Sequence, residues 1–408
     1  MKKRKILFIA PLLLSSLILG ACQVREHHGH APYKPGETKT MSDKQHPKGM
    51  PEEDGEPPAE GAAGFVLDLR NIPSLENIMP ELSRARVVFV GEAHTSYGHH
   101  LSQLEIIRRL YEIDPNIAIG MEFFQQPFQK YLDAYSAGEL EEAEMLRKTE
   151  YYSRWSFDYR LYRPILRYAR EQGIPLIALN LPKEITRKVG DQGMDALTEE
   201  EKAQIPSEID DSDKAYRKRM KDIFSQHPHS TERDFEHFLQ VQLLWDEGMA
   251  ARAADYLGKN PDKRLVVLAG IGHLFHGYGI PKRVHRRIPV ETAVVLPWDS
   301  VEVMPGVSDF LLFPEKARLP PKGKMGVILA DNNGCEVTKV SPGSAAEKGG
   351  VEKKDLILSL DGQAVGSIAD LKIGLLDKKP GDKISIVVRR KRFLFGDEEV
   401  TLELELGQ

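Results

Sequence analysis

Cysteine is scarce in this chain of 408 residues, which contains only Cys22 and Cys335. This scarcity excludes a scaffold held by several disulfides and a zinc or iron–sulfur site built from cysteines. Basic residues are not in surplus either, because 56 Lys and Arg stand against 61 Asp and Glu, a formal net charge of −5. Proteins that bind nucleic acid usually carry a basic surplus. We therefore expect no nucleic-acid partner.

Several common catalytic and phosphate-binding motifs are also missing. The chain has neither the G-x-S-x-G elbow of serine hydrolases nor the H-E-x-x-H motif of zinc proteases. Gly270 and Gly272 do not continue into G-x-G-x-x-G, and no Gly-Lys-Ser/Thr of the Walker type occurs. These absences exclude the commonest hydrolase and nucleotide-binding classes. At about 150 residues per domain, the length predicts two domains with additional segments.

A targeting segment is predicted at residues 1–21. Lys2, Lys3, Arg4 and Lys5 are basic, and a mainly apolar stretch follows from Ile6 to Leu19. That stretch is shorter than the roughly 20 residues of a spanning helix and has the size of a signal-peptide core. An uncleaved anchor helix is the alternative.

The end of this segment, Leu19-Gly20-Ala21-Cys22, resembles a bacterial lipobox. The resemblance implies that Cys22 becomes the lipidated, palmitate-bearing first residue of a membrane-anchored lipoprotein. The protein would then lie in the bacterial cell envelope, and in the outer membrane if the host is Gram-negative.

Residues 22–64 are predicted to be a disordered linker. They are rich in Pro, Gly, Glu and Lys, and their bulky apolar residues are isolated. Such a segment buries too little apolar surface to offset the entropy lost on ordering. The linker also contains His27, His28, His30 and His46. They could form a weak metal-capturing tract or belong to an ordinary solvated linker.

An α/β domain is predicted over residues 65–311. Short apolar runs alternate with amphipathic helical segments, which is typical of a mainly parallel sheet with helices on both faces. A highly charged helical insertion is expected at about residues 195–257. The predicted strands are Val87–Val90, Ile117–Gly120, Ile174–Leu179, Leu265–Ala269 and Val290–Leu296.

Acidic and imidazole side chains follow the predicted strands at their carboxyl ends, where ligands bind in open α/β sheets. These residues are Glu92, His94, Glu122, Asn180 and His273. Burying such groups together is costly unless they pair or hold a ligand. We therefore predict that Glu92, His94, Glu122 and His273 meet at one rim, as a functional site or as a structural network. The chemistry suits a divalent metal such as Mn, Co or Zn, or activation of water.

The same region carries a series of motifs in a fixed order. They are Gly91-Glu92-x-His94, His100, Gln103, Gly120-Met121-Glu122 and Gly270-x-x-His273. This series resembles the ChaN-like haem-binding family, which is similar to the wider Tiki, TraB and erythromycin-esterase superfamily. The resemblance covers roughly Leu67 to Trp298.

Membership would imply a lipoprotein that binds haem iron, for iron uptake or haem handling, at an axial ligand and an apolar wall. The haem or metal candidates are Glu92, His94, Glu122, His273 and Tyr216, with His100, Gln103 and Asn180 as rim support. For Tyr216 the favoured alternative is an ordinary half-buried helix residue. If the axial ligand comes from a mobile helix, haem could lie in a homodimer interface.

The relatives also imply an alternative. Tiki-like proteins are metal-dependent peptidases and the esterases activate water, so the chain could be a hydrolase of peptides or esters. Its catalytic residues would then be His94, Glu122 and His273. A third hypothesis is an envelope scaffold without enzymatic activity that holds its partners through the C-terminal PDZ-like domain described below. The fold permits catalysis without requiring it.

After a proline-containing linker at residues 312–321, a second domain is predicted at 322–408. The stretch from Ser341 to Val365 resembles a PDZ domain of the bacterial protease-associated kind. Such domains capture the C-terminus of a peptide or protein partner by strand addition. The resemblance places the carboxylate-binding loop at Lys324, Met325, Gly326 and Val327.

Overall fold

The computed structural model describes residues 66–225, 231–330, 334–392 and 396–408. The predicted signal peptide 1–21, Cys22 and the linker 22–64 lie outside the described residues. The chain divides into two units, Met1–Pro73 and Ser74–Gln408, and the fold below is that of the second. No helix in the described part of the chain is long and apolar enough to cross a membrane.

A six-stranded parallel sheet forms the centre of the larger domain, with strand order β3-β2-β4-β1-β5-β6. Its strands are β1 (Val87–Glu92), β2 (Ile117–Gln125), β3 (Leu176–Asn180), β4 (Arg264–Gly270), β5 (Thr292–Pro297) and β6 (Phe310–Leu312). The predicted parallel α/β fold is confirmed. The short edge strand β6 is an addition, because three residues are too few to show a periodic pattern.

Helices surround this sheet. They are α1 (Leu75–Leu82), α2 (Tyr97–Ile113), α3 (Gln129–Ser136), α4 (Glu142–Lys148), α5 (Tyr151–Arg154), α6 (Arg163–Gln172), α7 (Lys183–Gln192), α8 (Glu199–Lys202), α9 (Lys214–Phe224), α10 (Glu232–Lys259) and α11 (Ile280–Arg287). The predicted insertion thus contains α8, α9 and most of α10. The described part of the domain also contains short 3₁₀ turns at Gln126–Phe128, Tyr159–Leu161, Met194–Ala196, Ile271–His273, Phe275–Gly277 and Trp298–Ser300.

The sheet separates two buried cores, because successive strand residues point to opposite faces. On β1, Val88 and Val90 belong to one core and Val87 and Phe89 to the other. The first core includes residues of α2, α3, α4 and α6, whereas the second includes residues of α10 and α11. Both faces of the strands are therefore buried, which explains their continuous apolar sequences.

The C-terminal region is small and rich in antiparallel strands. Its elements are β7 (Val327–Leu329), β8 (Val337–Val340), α12 (Ala345–Lys348), β9 (Leu356–Leu360), β10 (Gln363–Ala364), α13 (Ile368–Gly374), β11 (Lys383–Arg392) and β12 (Gly396–Glu405). Strands β7 and β8 form a hairpin, and the other four pair in the order β10-β9-β11-β12. Helix α13 ends at Gly374, two residues before Leu376.

Helix α13 and the turn after it pack against the α/β domain. Ile373 and Leu376 are buried in the same apolar cluster as the first sheet core. Two ion pairs join the domains beside this contact: Arg147 Nε lies 2.8 Å from Asp370 Oδ1, and Arg163 pairs with Asp377. The C-terminal domain is therefore docked on the α/β domain through α13 and the turn after it.

Candidate functional site

The predicted rim residues meet at the carboxyl ends of three adjacent strands. Glu92 ends β1 and His94 follows it, Glu122 lies within β2, and His273 ends the 3₁₀ turn after β4. Strand β4 lies between β2 and β1 in the sheet. Residues far apart in the sequence therefore come together because the strand order makes their ends neighbours.

Gly270 lies between two rim residues, His94 and Glu122. Its N–H donates to Oε2 of Glu122 at 2.6 Å. A Cβ atom at this position would lie 2.8 Å from Cε1 of His94 and 3.5 Å from Oε2 of Glu122. Glycine is needed here because any larger residue would press on the His94 imidazole.

One half of the rim is organised around the buried carboxylate of Glu92. Its Oε1 lies 2.8 Å from His94 Nδ1 and accepts a hydrogen bond from the Tyr162 hydroxyl at 3.2 Å. Its Oε2 lies 2.5 Å from His100 Nδ1. Burial would raise the pKa of Glu92, but the His100 and His94 imidazoles outweigh it and hold that pKa well below its ordinary value. Glu92 is therefore an anion that orients His94.

The residues predicted as rim support contact the strand ends directly. His100 Nδ1 also lies 3.1 Å from Gln103 Oε1, and His100 Nε2 lies 3.3 Å from the His94 carbonyl oxygen. Gln103 donates to the Val90 carbonyl at 3.0 Å. Asn180 donates to the carbonyl oxygen of Glu122 at 3.1 Å. Their hydrogen bonds hold the backbone on which the rim side chains are mounted.

The other half of the rim is a chain of buried polar contacts. His273 Nε2 lies 3.5 Å from Glu122 Oε1, and its Nδ1 lies 2.6 Å from Asp246 Oδ1. The Tyr216 hydroxyl then donates to Asp246 Oδ2 at 2.7 Å. Asp246 was not among the predicted site residues. Asp246 follows buried apolar residues of α10, such as Leu243 and Leu244, and an acidic residue beside them was the signal available in the sequence.

Tyr216 therefore lies behind His273 rather than at the rim itself. Its side chain is buried, and the Arg283 guanidinium lies 4.5 Å from the centre of its ring. Burial, followed by the charge of Asp246, raises the pKa of Tyr216 well above its ordinary value. The hydroxyl is a neutral donor to Asp246, which differs from the exposed phenolate that an axial ligand would need.

Protonation of His273 follows from its two carboxylate neighbours. Burial would lower the pKa of His273, but Glu122 and Asp246 outweigh it and raise that pKa to about 10. The pKa of Glu122 is lowered despite its burial, because the His273 and His94 imidazoles favour its anion. At neutral pH the His273 side chain is therefore an imidazolium between the carboxylates of Glu122 and Asp246. Both ring nitrogens of His273 are therefore occupied.

An aromatic wall lies against His94. The Trp155 ring meets the imidazole edge-on at 5.0 Å between centroids, and the Phe157 ring lies 4.6 Å from it. Trp155 Nε1 donates to the Tyr162 hydroxyl at 3.2 Å, so the wall is joined to the Glu92 network. Phe157 and Tyr162 were not predicted as neighbours of the site, because nothing in their local sequence pattern distinguishes them from core residues.

The chemistry of this rim is that of a charged hydrogen-bonding network beside an apolar wall. Across the described residues, no group of three or more His, Cys, Asp or Glu side chains is arranged to hold a metal ion. The alternative of a resident divalent metal such as Mn, Co or Zn is not supported. His94 supplies an imidazole, which is a common axial ligand of haem iron, and Trp155 and Phe157 supply an aromatic surface. These features fit haem better than a divalent metal ion.

The predicted carboxylate loop lies at the start of β7, on the C-terminal domain. Gly326 has a positive φ of 82°, and a Cβ there would lie 2.3 Å from the Ser344 side chain. The N–H groups of Met325 and Gly326 have no acceptor in the described ranges, whereas their carbonyls accept from Ala346 and Ser341. These two amide donors thus take no part in the hydrogen bonds among the described residues.

A known protein family matches each of the two domains. Residues 78–284, just over half of the chain, match the family described as haem-binding uptake, Tiki superfamily, ChaN. Residues 323–406 match the PDZ domain.

Individual relatives are distant. The chloroplastic protein RETICULATA-RELATED 5 of Arabidopsis thaliana is 26% identical over 243 residues, 54% of this chain and 32% of that protein. The chain thus spans about a third of the length of that relative. A solved structure of cofacial haem binding to ChaN of Campylobacter jejuni is 20% identical, with a TM-score of 0.48, over 58% of this chain and 90% of that one.

A solved HtrA-type protease, AlgW with a decapeptide, is similar over a smaller region. It is 27% identical, with a TM-score of 0.19, over 21% of this chain and 29% of that one. The match to the haem-binding family covers more than half of the chain. The protein therefore belongs to the ChaN family of haem-binding uptake proteins in the Tiki superfamily, and its C-terminal region is a PDZ domain.

Proposed function

We propose that this protein binds haem as cargo at the rim, with His94 as the axial ligand of the iron. The observation that carries the proposal is the arrangement of the His94 ring. Its Nδ1 is held by Glu92 at 2.8 Å, and its side chain keeps 22% of its surface exposed. Histidines that bind metals generally use one ring nitrogen while the other is fixed by a carboxylate, and His94 is positioned in that manner.

The other candidate ligands are less suited to this role. His273 contacts carboxylates with both ring nitrogens, and the Tyr216 hydroxyl is buried against Asp246. The Glu92 and Glu122 carboxylates are engaged with imidazoles or with the backbone. His94 combines an oriented imidazole with partial exposure and an aromatic neighbour for a porphyrin face, in Trp155 or Phe157.

Titration of the full chain with haemin, followed by absorbance, tests this assignment. The wild type should give a saturable Soret change at micromolar haemin, and His94→Ala should weaken the affinity about tenfold or more. His285→Ala is the matched control, because that histidine is exposed on α11 away from the rim. Unchanged affinity in His94→Ala would reject the ligand, and the lack of any saturable change would reject haem binding.

We also propose that the PDZ domain captures the C-terminus of a peptide or protein partner. The support is the pair of N–H groups at Met325 and Gly326, which can donate to a terminal carboxylate. Peptides with a free carboxylate should bind the full chain, and the same peptides with an amidated C-terminus should not. Equal binding of both forms would contradict carboxylate capture.

A third proposal concerns the membrane. We propose that Cys22 is lipidated and anchors the protein in a bacterial envelope, in the outer membrane if the host is Gram-negative. The lipobox-like sequence Leu19-Gly20-Ala21-Cys22 supports this proposal. Mass spectrometry of the mature protein should find a diacylglyceryl Cys22 at its N-terminus, and Cys22→Ser should stay unlipidated. A mature chain that retains Phe8 would contradict cleavage at this site.

A further inference from the structure

One segment of the α/β domain has two functional faces. It runs from α5 through the 3₁₀ turn Tyr159–Leu161 and is here named the bridging segment, residues 151–161. Its inner face carries Trp155 and Phe157, whose rings contact His94. This face is joined to Glu92 through the hydrogen bonds of Trp155 and Tyr162. The bridging segment is therefore part of the rim.

The outer face of the same segment closes the groove of the PDZ domain. The groove has a volume of about 570 Å³ and lies between β7, the carboxylate loop and α13. Its remaining wall is formed by Tyr152, Ser156, Phe157, Asp158 and Arg160 of the bridging segment. Phe157 thus lines the groove and also contacts His94.

Direct contacts hold this wall in place. Lys322 Nζ lies 3.2 Å from Asp158 Oδ2, and Arg160 donates to the carbonyl of Pro320 at 2.8 Å. The Lys372 ammonium lies 5.2 Å from the centre of the Tyr152 ring. Together with the burial of Ile373 and Leu376, these contacts fix the groove and the bridging segment relative to each other.

The charge of the groove identifies its occupant. Among the described residues that line it, the basic ones are Arg160, Lys322, Lys324 and Lys372, and the acidic one is Asp158. A surplus of positive charge beside the N–H groups of Met325 and Gly326, which have no acceptor among the described residues, fits a terminal carboxylate. The apolar lining of Leu371, Leu375 and Phe157 fits an apolar last residue. An extended peptide with a free, apolar C-terminus matches both properties.

We propose that such a peptide is held by both domains at once, with Phe157 contacting the peptide on one side and His94 on the other. This inference rests on the proposed haem site and on the proposed peptide capture. Because one ring belongs to both sites, peptide affinity and haem affinity are linked, and each ligand changes the affinity of the other by the same factor. The groove is thus a composite of the PDZ domain and the haem-binding domain.

Fluorescence anisotropy with the full chain tests the composite groove. The probe is a labelled pool of decapeptides that end in Val, Leu or Phe with a free carboxylate. Phe157→Ala should weaken peptide affinity about fivefold, since one apolar wall is lost. Phe313→Ala is the matched control, because that phenylalanine is half exposed and lies outside the groove lining. Equal peptide affinity of the wild type and Phe157→Ala would overturn the proposal.

A second measurement tests the link to the rim. The affinity of the same peptides should differ about threefold or more between the free chain and the haemin-saturated chain, and this difference should vanish in Phe157→Ala. Phe157→Leu keeps an apolar side chain and should retain most of the peptide affinity, which separates a local effect from misfolding.

The two measurements distinguish which of the proposals fails. If haemin does not bind, the haem site fails while the peptide comparison of Phe157→Ala still decides the composite groove. If the wild type binds no peptide, both peptide capture and the composite groove fail. If peptide binds but haemin saturation leaves its affinity unchanged, the shared wall does not link the sites and the proposal is rejected.

Discussion

His273 and Asp246 form a buried pair, with Nδ1 of the imidazole 2.6 Å from Oδ1 of the carboxylate. Asp246 lies near the middle of α10, whereas His273 follows β4. The pair therefore joins the helical insertion to the sheet rim. Because the Tyr216 hydroxyl also donates to Asp246, α9 is connected to the same network.

Removing the charge of Asp246 should destabilise the fold. Asp246→Asn leaves the His273 imidazolium with a neutral partner in a buried site, and breaking a buried pair typically costs about 3 kcal/mol or more. Urea unfolding should show this loss. Asp255→Asn on the same helix is the control, because its pair with Lys259 is partly exposed and contributes about 0.5 kcal/mol. Equal stability of both variants would show that the buried pair contributes little.

Stability should also depend on pH through His273. Its pKa is raised in the folded protein from 6.5 to about 10, so the folded state binds the proton more tightly than the unfolded chain. The stabilisation is complete below pH 6.5 and is lost as pH rises toward about 10. Urea unfolding of the wild type across this range should show a decline that is smaller in His273→Gln. Identical pH profiles of the two proteins would refute the assignment.

A methyl group at Gly270 should disturb the rim. In Gly270→Ala the new Cβ would lie 2.8 Å from His94 Cε1, so the imidazole must move away from the position that Glu92 sets. We expect a cost of about 1–3 kcal/mol in urea unfolding and about tenfold weaker haemin binding.

Gly258→Ala is the matched control for this overpacking. It lies in α10 with no atom within 4 Å of the added Cβ, and alanine favours a helix by about 1 kcal/mol. Its haemin affinity should equal that of the wild type. Comparable losses of haemin affinity in Gly270→Ala and Gly258→Ala would show that the loss does not arise from displacement of His94.

The docking of the PDZ domain can be tested through Ile373. Its side chain is buried in the core of the α/β domain, so Ile373→Ala should cost about 2 kcal/mol and loosen the contact. Limited proteolysis should then cut faster between β6 and β7. Ile328→Ala is a control for stability, because that side chain is 54% exposed. Unchanged cleavage in Ile373→Ala would show that docking does not depend on this residue.

The parallel sheet could be predicted because its strands are buried on both faces and read as continuous apolar runs. The family resemblance, carried by Gly91-Glu92-x-His94 and Gly270-x-x-His273, is confirmed, as is the PDZ domain. The edge strand β6 could not be predicted from the sequence pattern, because Phe310–Leu312 is too short to show periodicity. The lipid anchor at Cys22 stays a prediction, because it lies outside the described residues.

The amino-acid sequence is enough to predict which side chains lie at the strand ends, because parallel strands direct their carboxyl ends to one edge of the sheet. It could not show that Asp246 and Tyr216 stand behind His273, or that Phe157 borders both the rim and the PDZ groove. Those contacts depend on how α10 and α13 pack in three dimensions, and local periodicity does not encode the angle or depth at which one element meets another. These contacts are therefore visible only in the three-dimensional structure.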